Sequence, residues 1–289
     1  MNRSADESWR IDALLRICLL GAVFGLGGCA AYAPARRGET IHRDVLFASP
    51  SGHDLRMDLY VPIAQKKVPV VVWIFGGSWK IGSKGYHVNL RDLPEHGIAL
   101  ASIQYRLSST AKYPAQLDDC RAAVDWLRTN GARFGLDPKR IGVSGESAGG
   151  HLAALVGLIE GRPRIRAVCA LYPPTDLVTL DRKYAAPGKT TDIERLLGGP
   201  LDQKLQLAVA ASPVTHVGPS SPPFLIFHGA EDSLVPVEQS RELNRRLLRA
   251  HVKAQLIVVP EKGHWFLLDK RQVEEVAEFF RRAFQQGAS

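Results

Sequence analysis

The stretch Ile141-Gly142-Val143-Ser144-Gly145-Glu146-Ser147-Ala148-Gly149-Gly150 decides how this chain is read. It holds G-x-S-x-G with Ser147 at the centre. A strand-like run, Arg140 to Val143, feeds it, and a helix-like pattern, His151 to Leu158, follows. Strand, sharp turn and helix are the context in which a serine is raised as a nucleophile above a sheet. Gly145 and Gly149 leave room for the chain to fold back, and glycine tolerates strained dihedrals. The turn would bring the N–H of Ala148 near a developing oxyanion. A glycine-rich turn in an unrelated strand-to-helix junction is the competing reading.

A serine hydroxyl needs a base, and the base needs an orienting acid. In this architecture the order along the chain is Ser, then Asp or Glu, then His. Pro223 to Gly229 reads as a buried strand emptying into Ala230-Glu231-Asp232-Ser233. Ala254 to Pro260 reads as another, emptying into Glu261-Lys262-Gly263-His264. Asp232 and His264 thus fall on loops after successive strands, at the carboxyl edge where α/β sheets keep their sites. Glu231 adjoins Asp232 but can point elsewhere. His228 lies inside its strand and reads as a packed residue. His151 lies one helical turn after Ser147, on the wrong element for the base. His42, His53, His87, His96, His216 and His251 read as surface or loop residues.

Acyl transfer also needs donors aimed at the oxyanion. Val68 to Ile74 reads as a central strand ending in Phe75-Gly76-Gly77-Ser78-Trp79. Glycines there let backbone N–H groups approach a substrate carbonyl. Taken alone, an ordinary Gly-Gly turn explains them as well.

The chain resembles α/β-hydrolases of the carboxylesterase and hormone-sensitive-lipase-like group. It is most similar to the bacterial branch that includes feruloyl and acetyl-xylan esterases. The resemblance rests on Phe75 to Trp79, Tyr105-Arg106-Leu107-Ser108, Tyr113 to Asp119, Gly135 to Ile141, Gly145 to His151, Ala211-Ser212-Pro213, His228 to Asp232 and Gly263-His264, in family order from about Ile41 onward. It implies a mostly parallel central sheet with helices on both faces and Ser147, Asp232 and His264 as a triad. It also implies oxyanion donors at Gly77, Ser78 and Ala148, with Gly76 beside them. One departure stands out: where the family's loop opens with a bracing His, this chain has Phe75. The same motifs also resemble kynurenine formamidases, so cleavage of a small aryl formamide stays open beside ester cleavage. A non-catalytic binding protein on the same fold is the third alternative.

The remaining sequence fits one domain from 41 to 289. With 289 residues and 45% hydrophobic content the chain can bury an ordinary α/β core. Ile41 to Ala48 and Leu55 to Val61 suggest a front hairpin around Pro50-Ser51-Gly52. Pro114 to Arg128 suggests a helix whose core stripe is Leu117, Cys120, Val124 and Leu127. The last helix repeats the spacing with Val273, Val276, Phe280 and Phe284. Residues 176–211 are irregular, with helix-like pieces near Ile193 to Leu197 and Leu201 to Val209. This segment is either a small cap over the site or a passive surface insertion.

The amino terminus predicts export. Residues 1–28 combine three arginines with a short apolar run, Ile17 to Leu26, that is too short to span a bilayer. Leu26-Gly27-Gly28-Cys29 resembles a bacterial lipobox, which implies lipidation of Cys29, a tether over 29–40, and residence in the cell envelope, at the outer membrane. A plain signal peptide is the alternative. Cys120 and Cys169 remain in the mature domain, as buried thiols or as a disulfide. No metal, phosphate or dinucleotide motif is present, so no cofactor is expected. The net charge of +8 is spread out, apart from Arg241, Arg245, Arg246 and Arg249, and no motif supports nucleic-acid binding. The expected substrate is a small-molecule or polysaccharide ester.

Overall fold

Every residue of the run Val68 to Ile74 is buried. Its alternate residues feed different cores: Val70, Val72 and Ile74 pack on one side, Val71 and Trp73 on the other. A strand apolar on both faces has to be covered on both. The computed structural model describes residues 36–159 and 165–285. The leader 1–28, Cys29 and the tether as far as residue 35 lie outside them.

The described residues form one sheet from β1 (Glu39–Ala48), β2 (Leu55–Pro62), β3 (Val68–Ile74), β4 (Ala99–Ile103), β5 (Leu136–Glu146), β6 (Val168–Leu171), β7 (Phe224–Gly229) and β8 (Ala254–Val259). The order is β1-β2-β4-β3-β5-β6-β7-β8. β1 and β2 make the expected front hairpin, β2 is antiparallel to β4, and every pairing from β4 through β8 is parallel. This is the α/β-hydrolase fold. From β3 the chain steps to β4 on one side and then to β5 on the other. The crevice beyond the carboxyl ends of β3 and β5 is therefore the switch point where such sheets bind ligands.

The helices are α1 (Ala115–Asn130), α2 (Ala148–Ile159), α3 (Leu177–Tyr184), α4 (Asp192–Leu197), α5 (Leu201–Ala210), α6 (Val237–Arg249) and α7 (Lys270–Gln285). α1 buries Leu117, Cys120, Val124 and Leu127 on one sheet face, beside α2 and Leu243 and Leu247 of α6. α7 buries Val273, Val276, Phe280 and Phe284 on the opposite face with Trp73 and Tyr172. Both stripes are the ones read from spacing. Each such side chain contributes about 1.5–3 kcal/mol when withdrawn from water. Cys120 and Cys169 belong to opposite cores and are both free, so the disulfide alternative is closed.

Residues 176–211 correct the sequence reading in one respect. Besides the two expected pieces, now α4 and α5, the segment opens with α3. Asp176 caps α3, its carboxylate accepting from the N–H groups of Val178 and Thr179 at 3.1 Å. α3 packs against α5 and α4.

Candidate active site

The turn after β5 carries Ser147 at φ 50°, in the left-handed region that an L residue adopts only under constraint. The constraint is local. The N–H of Ser147 donates to Leu171 O of β6, and its carbonyl accepts from His151 N, both at 2.9 Å. A Cβ on Gly149 would lie 2.0 Å from Ile74 O, and one on Gly145 2.4 Å from Gly149 O. The small residues expected around the serine are thus required by backbone packed against backbone.

β7 and β8 are adjacent and parallel, so the loops after them meet beside that turn. His264 Nε2 lies 2.8 Å from Ser147 Oγ, and His264 Nδ1 lies 2.7 Å from Asp232 Oδ2. An ionised carboxylate only accepts, so Nδ1 carries the proton and Nε2 turns its lone pair to the hydroxyl. Asp232 Oδ1 accepts from Leu234 N at 2.9 Å and Val235 N at 2.8 Å. Burial of Asp232 disfavours its charge. Hydrogen bonds from His228 and His264, the attraction of His264 and the Val235 N–H outweigh burial and hold the carboxyl well below the usual carboxylate range. Glu231, the rejected neighbour, is exposed, and its N–H is taken by Lys262 O.

His228 is packed within its strand, as expected, but it also reaches the acid. Its Nε2–H points between Val235 O at 2.7 Å and Asp232 Oδ2 at 3.2 Å, while Nδ1 accepts from Ser240 Oγ at 2.6 Å. His151 has a second duty that position alone did not reveal. Trp79 Nε1 donates to His151 Nδ1 at 3.1 Å, so His151 Nε2 carries the hydrogen donated to Ala211 O at 2.7 Å. Desolvation lowers its pKa to about 4, so it is neutral.

Gly77, Ser78 and Trp79 have φ of 102°, 52° and 58°, a run of left-handed backbone at the end of β3. Gly77, Ser78 and Ala148 line the same pocket as Ser147 and His264. Among the described residues, none of these three N–H groups is spent on another hydrogen bond. Gly76 does not line the pocket; it packs on Glu146 and the Ser147 side chain. Phe75, the departure from the family pattern, is buried and stacked on Tyr105 at 4.3 Å, and the Tyr105 hydroxyl donates to Phe75 O at 3.2 Å. The loop is held instead by Trp79 on His151, by Ser108 N donating to Trp79 O at 2.7 Å, and by Lys80 bridging to Asp192 of α4 at 2.7 Å.

Below the serine, Glu146 is buried. Burial raises its pKa despite donors Tyr172 Oη at 2.9 Å and Asn89 Nδ2 at 3.1 Å. Asn89 Oδ1 also accepts from Leu268 N at 2.9 Å, and the Tyr172 ring meets that of His264 edge-on at 4.8 Å. This group ties the elbow to the segment carrying His264. Asn89 and Tyr172 stand in no motif, so no sequence signal singles them out.

The pocket encloses about 360 Å³. It is lined by Trp79, Pro174, Leu234, Val235 and Trp265 and by residues of α3, α4 and the stretch between them. Within residues 176–211, the part from Leu180 to Arg195 contributes to this lining.

Comparison with known proteins agrees with this architecture. The BD-FAE family model matches residues 57–247, well over half of the chain. Esterase LipC of Mycobacterium tuberculosis is 35% identical over 224 residues, covering 71% of this chain and 55% of that protein. The probable carboxylic ester hydrolase LipM of the same organism is 34% identical over 187 residues, covering 60% and 43%. The chain thus spans about half the length of the curated relatives it matches. Among solved structures, a truncated carbohydrate esterase from gut microbiota superposes with a TM-score of 0.79 at 29% identity, covering 87% of this chain and 99% of that one. Fold, elbow and matched residues together make this chain a member of the BD-FAE family of α/β-hydrolases.

Proposed function

We propose that the chain hydrolyses carboxylic esters through an acyl-enzyme on Ser147. The observation that carries the reading is the hydrogen-bond series Ser147–His264–Asp232 opening into a pocket edged by unspent N–H groups. Names of the relatives, an esterase and a probable carboxylic ester hydrolase, support the same class. In this mechanism Ser147 Oγ attacks the ester carbonyl as His264 Nε2 takes its proton. The N–H groups of Gly77, Ser78 and Ala148 receive the oxyanion. The C–O bond to the alcohol then breaks, with His264 returning the proton to the leaving oxygen. Water, deprotonated by His264, releases the acid and restores the serine. Asp232 holds the imidazole tautomer and stabilises its charged form. A panel of nitrophenyl esters of rising chain length, with acetyl-xylan and N-formylkynurenine added, tests the class. Turnover of esters that is lost in Ser147→Ala is expected; turnover of the formamide alone would contradict it.

We also propose export and lipid anchoring at Cys29, supported by the Leu26-Gly27-Gly28-Cys29 sequence after a short apolar run. In the native host, Cys29→Ser should move the protein from the membrane fraction to the soluble fraction. An unchanged distribution would remove the anchor.

A further inference from the structure

One carboxyl in the pocket wall has no place in the proposed mechanism. Asp181, on α3, is only 2% exposed, yet it lines the pocket that holds Ser147. Its Oδ1 accepts the Thr191 hydroxyl, which is itself fixed because Thr191 caps α4 and accepts from Glu194 N at 3.0 Å. Among the described residues, nothing donates to Asp181 Oδ2, and no Lys, Arg or His forms an ion pair with it. Nor is Oδ2 among the atoms sealed off from a water-sized sphere. The nearby charges are otherwise engaged: Asp192 is bound by both Lys80 and Arg195. Oδ2 is thus an unused acceptor open to the pocket, on a carboxyl whose direction the Thr191 hydroxyl fixes.

Resting on the ester-hydrolase reading, we infer that Asp181 is a specificity-determining residue. Its Oδ2 accepts a hydrogen bond from a hydroxyl carried by the ester substrate. A hydroxyl fits better than a cation. Lys189 also lines the pocket, so a positive group would meet a like charge there. An anionic group would meet Asp181 itself. Burial, set against the Thr191 hydrogen bond and reinforced by Glu194, raises the Asp181 pKa.

The Thr191 hydroxyl orients the carboxyl, which gives the test its direction. In Asp181→Asn the amide oxygen takes the Thr191 hydrogen, so the NH₂ faces the pocket. An acceptor becomes a donor at nearly constant shape. The experiment measures kcat/KM for ω-hydroxyalkyl acetates and for propyl esters of ω-hydroxy acids, with two to six carbons in the varied part. Each is compared with the plain ester bearing CH₃ for OH, and with its ω-methoxy counterpart, which can only accept. The wild type should prefer at least one hydroxy ester over its plain counterpart by about 10- to 100-fold. Asp181→Asn should reduce that preference at least tenfold and raise the relative rate of the methoxy ester. The side of the ester on which the preference lies then identifies the part that rests against α3. Turnover of plain esters with no hydroxyl preference, or a preference unchanged in Asp181→Asn, overturns this inference alone. Turnover of no ester overturns the underlying reading and this one with it.

Discussion

At Asp232 the two carboxylate oxygens divide their work. One is saturated by the N–H groups of Leu234 and Val235; the other faces His264 and His228. Asp232→Asn must turn an NH₂ toward an imidazole N–H or give up its backbone donors. On the proposed mechanism kcat should fall by about 10⁴-fold with the thermal midpoint little changed, because the imidazole loses its tautomer control. Glu231→Gln should change kcat little; steady-state kinetics on both variants check the choice of carboxylate. His151 makes a separate prediction about stability. The unfolded chain protonates this imidazole near pH 6.5, whereas burial delays protonation of the folded chain to about pH 4. Between these values the unfolded state binds the extra proton, so stability falls as pH falls. The slope is at most about 1.4 kcal/mol per pH unit, and the total is about 3 kcal/mol. Urea unfolding at pH 7 and pH 5 should show a smaller pH dependence in His151→Gln than in the wild type. At this scale the sequence was informative where order along the chain constrains chemistry, as for Ser147, Asp232 and His264. It was silent on Asn89 and Tyr172, whose partners Leu268 and Glu146 are brought close only by the folded sheet.

The loop after β3 shows how elements carry the site. Three successive left-handed residues persist because Trp79, Lys80 and Ile81 are each fixed, the last two donating to Gly77 O at 3.0 and 3.1 Å. A Cβ at Gly77 would meet Ile81 O at 2.2 Å. Gly77→Ala should therefore displace the proposed donors and lower kcat by about 10²-fold or more, as loss of one oxyanion donor does. An unchanged kcat in a folded variant would separate this loop from catalysis. The glycine pair was legible in the sequence; its bracing was not, because Phe75 replaces the residue that would have announced it. In α4 a signal was present but unread: Thr191-Asp192-Ile193-Glu194 is a capping box, with Thr191 and Glu194 each satisfying the other's backbone N–H. α3 escaped because its aliphatic residues, Leu177, Val178 and Leu180, stand only in its first half and are followed by Asp181-Arg182-Lys183, so no stripe repeats along it.

For the whole molecule, alternation of apolar strands with striped helices specified a covered parallel sheet. Strand order was not readable, since pairing across long connections depends on packing rather than local pattern. β8 illustrates the limit: it reads as a buried strand yet forms the half-covered end of the sheet. The basic helix α6 is a solvated face, with Arg241 paired to Glu238, and Arg245 and Arg246 to Glu242. Both cores are built from residues between Phe47 and Phe284. A chain starting at Arg36 should accordingly unfold in one transition and retain ester turnover, as calorimetry and kinetics would show. Whether Ser147 is the nucleophile is read by intact-mass analysis after treatment with a fluorophosphonate ester, followed by peptide mapping. A single adduct on Ser147 is expected, absent from Ser147→Ala and strongly slowed in His264→Ala. An adduct on Ser144 or Ser78, or full labelling of Ser147→Ala, would contradict it.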